Sequence, residues 1–179
     1  MISGPKLIKP LSWEEVFSIW EKHEANLPHW IEHYTKRGFE SWKDWRNSSI
    51  KDLKLETMTW NLYEIVDPIK IVPDFHAGPF RAWIKKYYGG NKTVTFKEIA
   101  HNVEMQSDHT IHEIISSFPE DTTIIGLQNE ELTIIDGLHR CCALAVANEK
   151  GIVLAPKLFI ACAVFSGELP LLGQENSPT

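Results

Sequence analysis

The chain has few cysteines and no long hydrophobic run. Its three cysteines are an odd number, and Cys141 and Cys142 are adjacent, so this pair cannot readily bridge to itself. We expect reduced thiols, with at least one of the pair buried as a small hydrophobic side chain. No apolar stretch is long enough to span a membrane, and the N-terminus lacks the apolar core of a signal peptide. The sequence therefore predicts a soluble, cytoplasmic protein with no membrane contact.

Positive charge is also scarce. The 18 lysines and arginines are outnumbered by 24 aspartates and glutamates, which gives a formal net charge of −6. Because nonspecific binding of nucleic acid depends on cations that neutralise phosphates, this balance argues against nucleic acid as a partner. The 179 residues, 43% of them hydrophobic, can bury a core and fit one domain with an extension better than two domains.

Tryptophan, in contrast, is abundant and concentrated near the N-terminus. Ser12 and Glu15 form a capping-box pattern ahead of a helix that runs to about Glu24, and Pro28 and Gly38 bracket a second helix. These helices would pack through their tryptophans or present an aromatic face to a base, a sugar or a protein partner. We predict a helical, Trp-rich extension over residues 1–61, with five of the seven tryptophans in its helical stretch: Trp13, Trp20, Trp30, Trp42 and Trp45.

Strand signals follow the extension. Apolar and β-branched runs, bounded by turn residues or proline, alternate with helical patterns. This succession predicts an α+β domain over residues 62–170, followed by a loose tail over 171–179. The predicted strands are 63–72 with an interruption at Pro68, a hairpin of 122–127 and 132–135, and an unbroken apolar strand at 158–165.

The junction between the hairpin and an Ala-rich helix carries the strongest chemical signal. Gly137 lets the backbone turn sharply or approach a ligand closely, and the N–H groups that follow, at a helix N-terminus, favour an anion. His139 and Arg140 add side-chain donors at the same place. A phosphate group fits this arrangement. The alternative is a structural turn, with Asp136 as the helix cap and Arg140 in solvent.

The stretch from Ile134 to Ala145, Ile-Ile-Asp-Gly-Leu-His-Arg-Cys-Cys-Ala-Leu-Ala, resembles the signature of the ParB/sulfiredoxin-like superfamily. In that superfamily a strand ends in Asp-Gly-X-His-Arg, or a close variant, and an Ala-rich helix follows. A looser resemblance extends from Tyr63 to Phe165. The resemblance implies a mixed-sheet domain with a nucleotide-phosphate site at Gly137, Leu138, His139 and Arg140. It also implies ATP or another nucleotide as cofactor, with Mg²⁺.

Members of this superfamily have different activities. They include chromosome-partition proteins that bind a nucleotide, ATP-dependent sulfiredoxins, free-serine kinases and proteins described as nucleases. Sulfiredoxins place a catalytic cysteine immediately before the His-Arg pair, where this chain has Leu138. Reduction of a sulfinic acid is therefore not expected here.

Other candidate site residues precede the motif. A kinase-type reaction needs a carboxylate to accept a hydroxyl proton, and Glu64, Asp67 and Asp136 are the candidates. His76 and Arg81 flank a predicted helix start, where the Arg81 guanidinium could hold a phosphate or carboxylate of the substrate. Each of these charged side chains could equally be an ordinary surface group.

Three functions follow from these signals. The first is a nucleotide-dependent phosphotransferase that acts on a small hydroxylated substrate. The second is a non-catalytic, nucleotide-responsive module whose Trp-rich extension binds another protein. The third is a DNA-associated or nuclease role, which the acidic balance disfavours. No protein metal site is predicted, because no cysteine or acidic cluster accompanies His29 and His33.

Overall fold

A six-stranded mixed sheet organises residues 6–173, the part of the chain that this computed structural model describes. Its spatial order is β1-β2-β6-β4-β5-β3, in which the β6/β4 and β5/β3 pairs are parallel and the other pairs antiparallel. The predicted α+β class is confirmed. The strands are β1 (Lys6–Leu11), β2 (Trp60–Ile65), β3 (His76–Ala77), β4 (Asp121–Gln128), β5 (Leu132–Asp136) and β6 (Lys157–Val164).

Helices lie on both faces of this sheet. The capping box predicted at Ser12 is present, and the first helix ends at Glu24 as predicted. The helices are α1 (Trp13–Glu24), α2 (Pro28–Thr35), α3 (Trp42–Ile50), α4 (Pro68–Ile71), α5 (Arg81–Lys86), α6 (Phe96–Ala100), α7 (Val103–Gln106), α8 (His109–Ser116) and α9 (Leu138–Glu149). None of those helices is long and apolar enough to cross a membrane.

The observed strand β2 is shorter than the strand predicted over 63–72, and it begins earlier, at Trp60. It ends at Ile65, because Asp67 adopts a left-handed backbone with φ of 56° and Pro68 then begins α4. A proline at the first helical position has the helical φ already set, so the chain turns into a helix there. The lead-in before α1 also pairs with β2 as the edge strand β1. Of the loose tail predicted over 171–179, the part after Gly173 lies outside the described residues.

The sheet separates two apolar layers because successive strand side chains point to opposite faces. On β6, Leu158, Ile160 and Cys162 face the layer that contains α9, whereas Ala161 and Ala163 face the layer built by α1 and α3. Both faces are covered, which explains the unbroken apolar run in this strand. The small alanines leave room for the large tryptophan side chains of the second layer.

Helix α9 is almost entirely internal. Every residue from Cys141 to Ala147 is buried, and the helix packs between the sheet and α6 and α8. The three cysteines are unbridged and buried, so the expected hydrophobic role of the adjacent pair is confirmed. Burial raises the pKa of the Cys141 and Cys142 thiols and raises that of Cys162 to about 12.

Candidate functional site

A cavity of about 940 Å³ lies between the extension helices and the junction of β5 with α9. One wall is the predicted motif, and the facing wall comes from α1, α2 and α3. The residues that line this cavity include Lys22, His23, Glu24, Leu27, Trp30, Trp45, Arg46, Arg81, Trp83, Asp121, Asp136, Gly137, Leu138, His139 and Arg140.

The β5–α9 junction is a sharp turn at Gly137. This residue has φ of 94°, a left-handed conformation that side chains disfavour, and it begins the twelve-residue helix α9 without a side-chain cap. A Cβ at this position would lie 2.6 Å from Cγ2 of Ile124, so β4 also approaches too closely for any side chain. The first N–H groups of α9 are therefore not taken up by a capping side chain.

Asp136 does not cap α9 but pairs with two side chains at the cavity wall, His23 and Arg140. Its Oδ2 lies 2.6 Å from Nδ1 of His23 and 3.3 Å from Nη2 of Arg140. Burial alone raises the pKa of the Asp136 carboxyl, but the His23 hydrogen bond and the charges of Arg140 and Arg46 outweigh burial. The pKa of Asp136 therefore lies below its ordinary value, and the carboxylate is ionised at neutral pH.

The Arg140 side chain is held by several acceptors. Its Nη1 donates to Oγ1 of Thr122 at 2.5 Å and to the carbonyl oxygen of Thr123 at 3.0 Å. The same Nη1 lies 3.2 Å from Nε2 of His23, and Nη2 lies 3.0 Å from Nδ1 of that ring. Arg140 thus faces the cavity but is already engaged by the protein.

His139 packs edge-on against Trp83, with ring centroids 5.0 Å apart. Burial lowers the pKa of His139 to about 4, although Asp108 acts in the opposite direction. The imidazole is consequently neutral at pH 7, and it can donate one hydrogen bond without adding charge. Leu138 is buried, so its contribution to a ligand would come from the backbone N–H.

Two other cations line the cavity with no ion-pair partner within residues 6–173. They are Lys22 on α1 and Arg81 at the start of α5, and both are exposed. The backbone N–H of Arg81 donates to the carbonyl oxygen of Leu172, which fixes the start of α5. A cation in the first turn of a helix opposes the helix dipole, so Arg81 is favoured when an anion is near.

The facing wall is built around a buried arginine. The guanidinium carbon of Arg46 lies 4.6 Å from the ring centroid of Trp20 and 4.3 Å from that of Trp45, and the group pairs with the Glu24 carboxylate. Trp42 donates its indole N–H to the same carboxylate at 2.9 Å. Stacking and ion pairing together fix this wall rigidly.

Three predicted site residues lie away from this cavity. Glu64 is in β2, opposite Phe159, and Asp67 pairs with Lys70 at 2.6 Å on an exposed turn. His76 is in β3 beside Thr133, and its Nδ1 lies 3.8 Å from a carboxylate oxygen of Glu131. The cavity therefore brings together Arg81 and the Asp136–Arg140 motif, but not these three.

Sequence reasoning missed the contribution of α1. His23 is not among the predicted site residues, yet it reaches Asp136, which is 113 positions away in the chain. One signal was available, because Val16, Trp20 and His23 recur at helical spacing and the first two are buried. His23 therefore continues the stripe that faces the sheet.

Within residues 6–173, no group of three histidine, cysteine or acidic side chains has an arrangement that could hold a metal ion. Comparison of the chain with protein-family models, with curated proteins and with solved structures finds no match.

Proposed function

We propose that this chain binds a nucleotide in the cavity, with the phosphate oxygens at the N-terminus of α9. One observation carries the proposal: the start of α9 has no side-chain cap, and its first residues line a large cavity. Unpaired N–H groups and the helix dipole both favour an anion at this position. The resemblance of the motif to ParB/sulfiredoxin-like proteins supports a nucleotide as the source of that anion.

The charges around the cavity support the same ligand. Lys22 and Arg81 lack carboxylate partners in the described part of the chain, although the whole chain has a formal net charge of −6. Neutral His139 can donate a hydrogen bond to a phosphate oxygen. Arg140 is held by Asp136 and Thr122. Its positive charge therefore acts on a bound phosphate from a fixed position, without a direct hydrogen bond.

The proposal extends to phosphotransfer onto a small hydroxylated substrate. In that reaction the substrate oxygen bonds to the terminal phosphorus, the bridging P–O bond breaks, and a base accepts the hydroxyl proton. Among the carboxylates on the cavity wall, Asp136 is bound to Arg140 and Glu24 to Arg46. Asp121 is exposed and has no such partner within residues 6–173, so it is the base candidate in the cavity.

Magnesium, which such a transfer uses, would bind mainly through the phosphates of the nucleotide. The described residues offer no cluster of three metal-ligating side chains, and Mg²⁺ commonly binds proteins through one or two carboxylates together with substrate phosphates. Asp121 is the carboxylate on this wall that is free to take part.

A second candidate function is a nucleotide-responsive module without catalysis. The observation that favours it is the position of Glu64 and Asp67, two of the three predicted bases, outside the cavity lining. Analysis of reaction products separates the two candidates. Formation of ADP and a phosphorylated hydroxyl compound, lost in an Asp121→Asn variant, supports transfer, whereas nucleotide binding without turnover supports the module.

The experiment that tests nucleotide binding is a thermal melt with ATP, ADP and CTP, each with and without Mg²⁺. A ligand at about a hundred times its dissociation constant should stabilise the fold by roughly 3 kcal/mol. Arg81→Ala should reduce that shift. Lys85→Ala is the matched control, because Lys85 is an exposed cation on the same helix outside the cavity lining. No shift with any nucleotide, or equal shifts for both variants, would contradict the proposal.

A further inference from the structure

The cavity wall opposite α9 presents the half-buried ring of Trp30. Trp20, Trp42 and Trp45 are all at most 6% exposed, so these neighbours are enclosed in the protein interior. Trp30 is therefore the tryptophan of this group that has surface to offer a ligand. It lies on α2, in a segment to which the motif resemblance does not extend.

The Trp30 ring is held in place by its neighbours. Its centroid lies 5.0 Å from that of Trp45 and 5.5 Å from that of His33, which meets it edge-on. The guanidinium carbon of Arg46 lies 5.3 Å from the same ring. A planar group that is already fixed loses little conformational freedom when another ring stacks on it. Trp30 is thus a preorganised platform for a flat ligand.

The cavity also demands a ligand larger than a phosphate. Its volume of about 940 Å³ is typical of pockets that enclose a whole small molecule. One wall has the uncapped helix N-terminus of α9, and the opposite wall has Trp30 with the apolar side chain of Leu27. A ligand that satisfies both walls carries an anionic group at one end and a flat, aromatic group at the other.

We infer that Trp30 forms a base-binding subsite, so that the ligands of this cavity are nucleotides with a stacked base rather than simple sugar phosphates or inorganic phosphates. The inference rests on the proposed phosphate site at α9 and names the part of the ligand that the N-terminal extension recognises. In this arrangement the core domain binds the phosphates and the extension selects for an aromatic base. Stacking on an aromatic side chain is tolerant of base identity, so purines and pyrimidines both fit.

The test compares ATP with inorganic tripolyphosphate, which has a chain of three phosphates but neither the ribose nor the base. Isothermal titration calorimetry measures both ligands against the wild type, Trp30→Leu and Trp30→Phe. Trp13→Leu is the matched control, since Trp13 belongs to the same extension, packs against Trp60 at 5.8 Å and lies outside the cavity lining. Circular dichroism and thermal melts establish that each variant is folded.

We expect the wild type to bind ATP more tightly than tripolyphosphate. Trp30→Leu should weaken ATP binding about tenfold or more, in line with measured base–aromatic stacking, while tripolyphosphate binding stays within about twofold. Trp30→Phe should retain most of the ATP affinity, and Trp13→Leu should bind both ligands as the wild type does.

Results other than these would contradict a base-binding subsite at Trp30. Equal weakening of both ligands by Trp30→Leu would mean that Trp30 only shapes the cavity. Wild-type affinities that are equal for ATP and tripolyphosphate would remove the base subsite but leave the phosphate site intact. Binding of neither ligand would overturn the proposed function together with this inference. If Trp30→Leu does not fold, equal binding of ATP and tripolyphosphate by the wild type still overturns the subsite.

Discussion

Nδ1 of His23 lies 2.6 Å from Oδ2 of Asp136, and this hydrogen bond joins the N-terminal extension to the central sheet. His23 is in the last turn of α1, whereas Asp136 ends β5 immediately before the Gly137 turn. The same carboxylate pairs with Arg140 in the first turn of α9. One buried carboxylate therefore couples the helix that carries the candidate phosphate site to the helices that form the opposite wall.

Removing His23 should destabilise the protein. In a His23→Ala variant, the buried Asp136 carboxylate would lose its 2.6 Å hydrogen bond and keep Arg140 as its ion-pair partner. Loss of one partner of a buried charged hydrogen bond typically costs about 2 kcal/mol. Urea unfolding measures the change. His29→Ala is the control, since His29 lines the same cavity but is exposed, and it should change stability by less than about 0.5 kcal/mol. Equal effects would show that the His23–Asp136 contact contributes nothing specific.

Acid should weaken the fold through His33, which is buried beside Trp30 and Trp45. Burial, together with the charges of Arg37 and Arg46, lowers the pKa of His33 to about 4. An unfolded chain binds this proton near pH 6.5, well before the folded chain does, so stability falls as the pH drops from 6.5 towards 4. We expect a loss of roughly 1 to 2 kcal/mol between pH 6.5 and pH 5 from this residue.

Urea midpoints measured at several pH values between 7 and 5 test this expectation. His33→Phe should reduce the dependence on pH, because one buried group that takes up a proton on unfolding is gone, while His139, whose pKa burial also lowers to about 4, remains. His109→Phe is the control, since the His109 side chain is 85% exposed and its surroundings change little on unfolding. A pH dependence that His33→Phe leaves unchanged would assign the acid sensitivity to other groups.

Local patterns in the sequence predicted much of the secondary structure. The capping box at Ser12, the hairpin that leads into Asp136 and the Ala-rich helix after Gly137 are present in the structure. Each depends on residues close together in the chain, so hydrogen-bonding and steric preferences act locally. The strand over 63–72 was misjudged because its apolar residues continue past Pro68, where the backbone has already turned into α4.

The composition of the cavity could not be predicted in the same way. The sequence identified the motif and Arg81, which line the cavity, but it provided no means of pairing His23 with Asp136. Contacts between distant segments depend on how the helices of the extension cross the sheet. That crossing depends on how large side chains such as Trp20 and small ones such as Ala161 fill the same apolar layer.

The three cysteines should be unreactive in the folded protein. Cys141 and Cys142 are fully buried in α9, and Cys162 is 5% exposed in β6. Burial raises the pKa of each thiol, so the reactive thiolate is scarce and inaccessible at pH 8. A chromogenic disulfide reagent at pH 8 should modify none of them within minutes and all three in urea. Rapid modification of a native thiol would contradict the burial of α9 or β6.

Gly137 and Gly151 provide a matched pair for measuring how tightly β4 approaches the α9 junction. Both have left-handed backbones, with φ of 94° and 65°. A Cβ on Gly151 would meet nothing within 4 Å, whereas one on Gly137 would lie 2.6 Å from Cγ2 of Ile124. Gly151→Ala therefore reports backbone strain alone, about 1 kcal/mol, and Gly137→Ala adds the overlap with a packed strand, about 1 to 3 kcal/mol more.

Urea unfolding measures the loss of stability in each variant. Subtracting the loss for Gly151→Ala from that for Gly137→Ala leaves the cost of the overlap with Ile124, because both losses include the backbone strain. A larger loss for Gly137→Ala would mean that glycine is required here by the position of β4 as well as by the turn. Equal losses would mean that Ile124 moves aside easily. The turn would then be less rigid than the contacts between Asp136, Arg140 and Thr122 imply. A pliable turn would hold the first N–H groups of α9 less firmly, which would weaken the case for a preformed phosphate site.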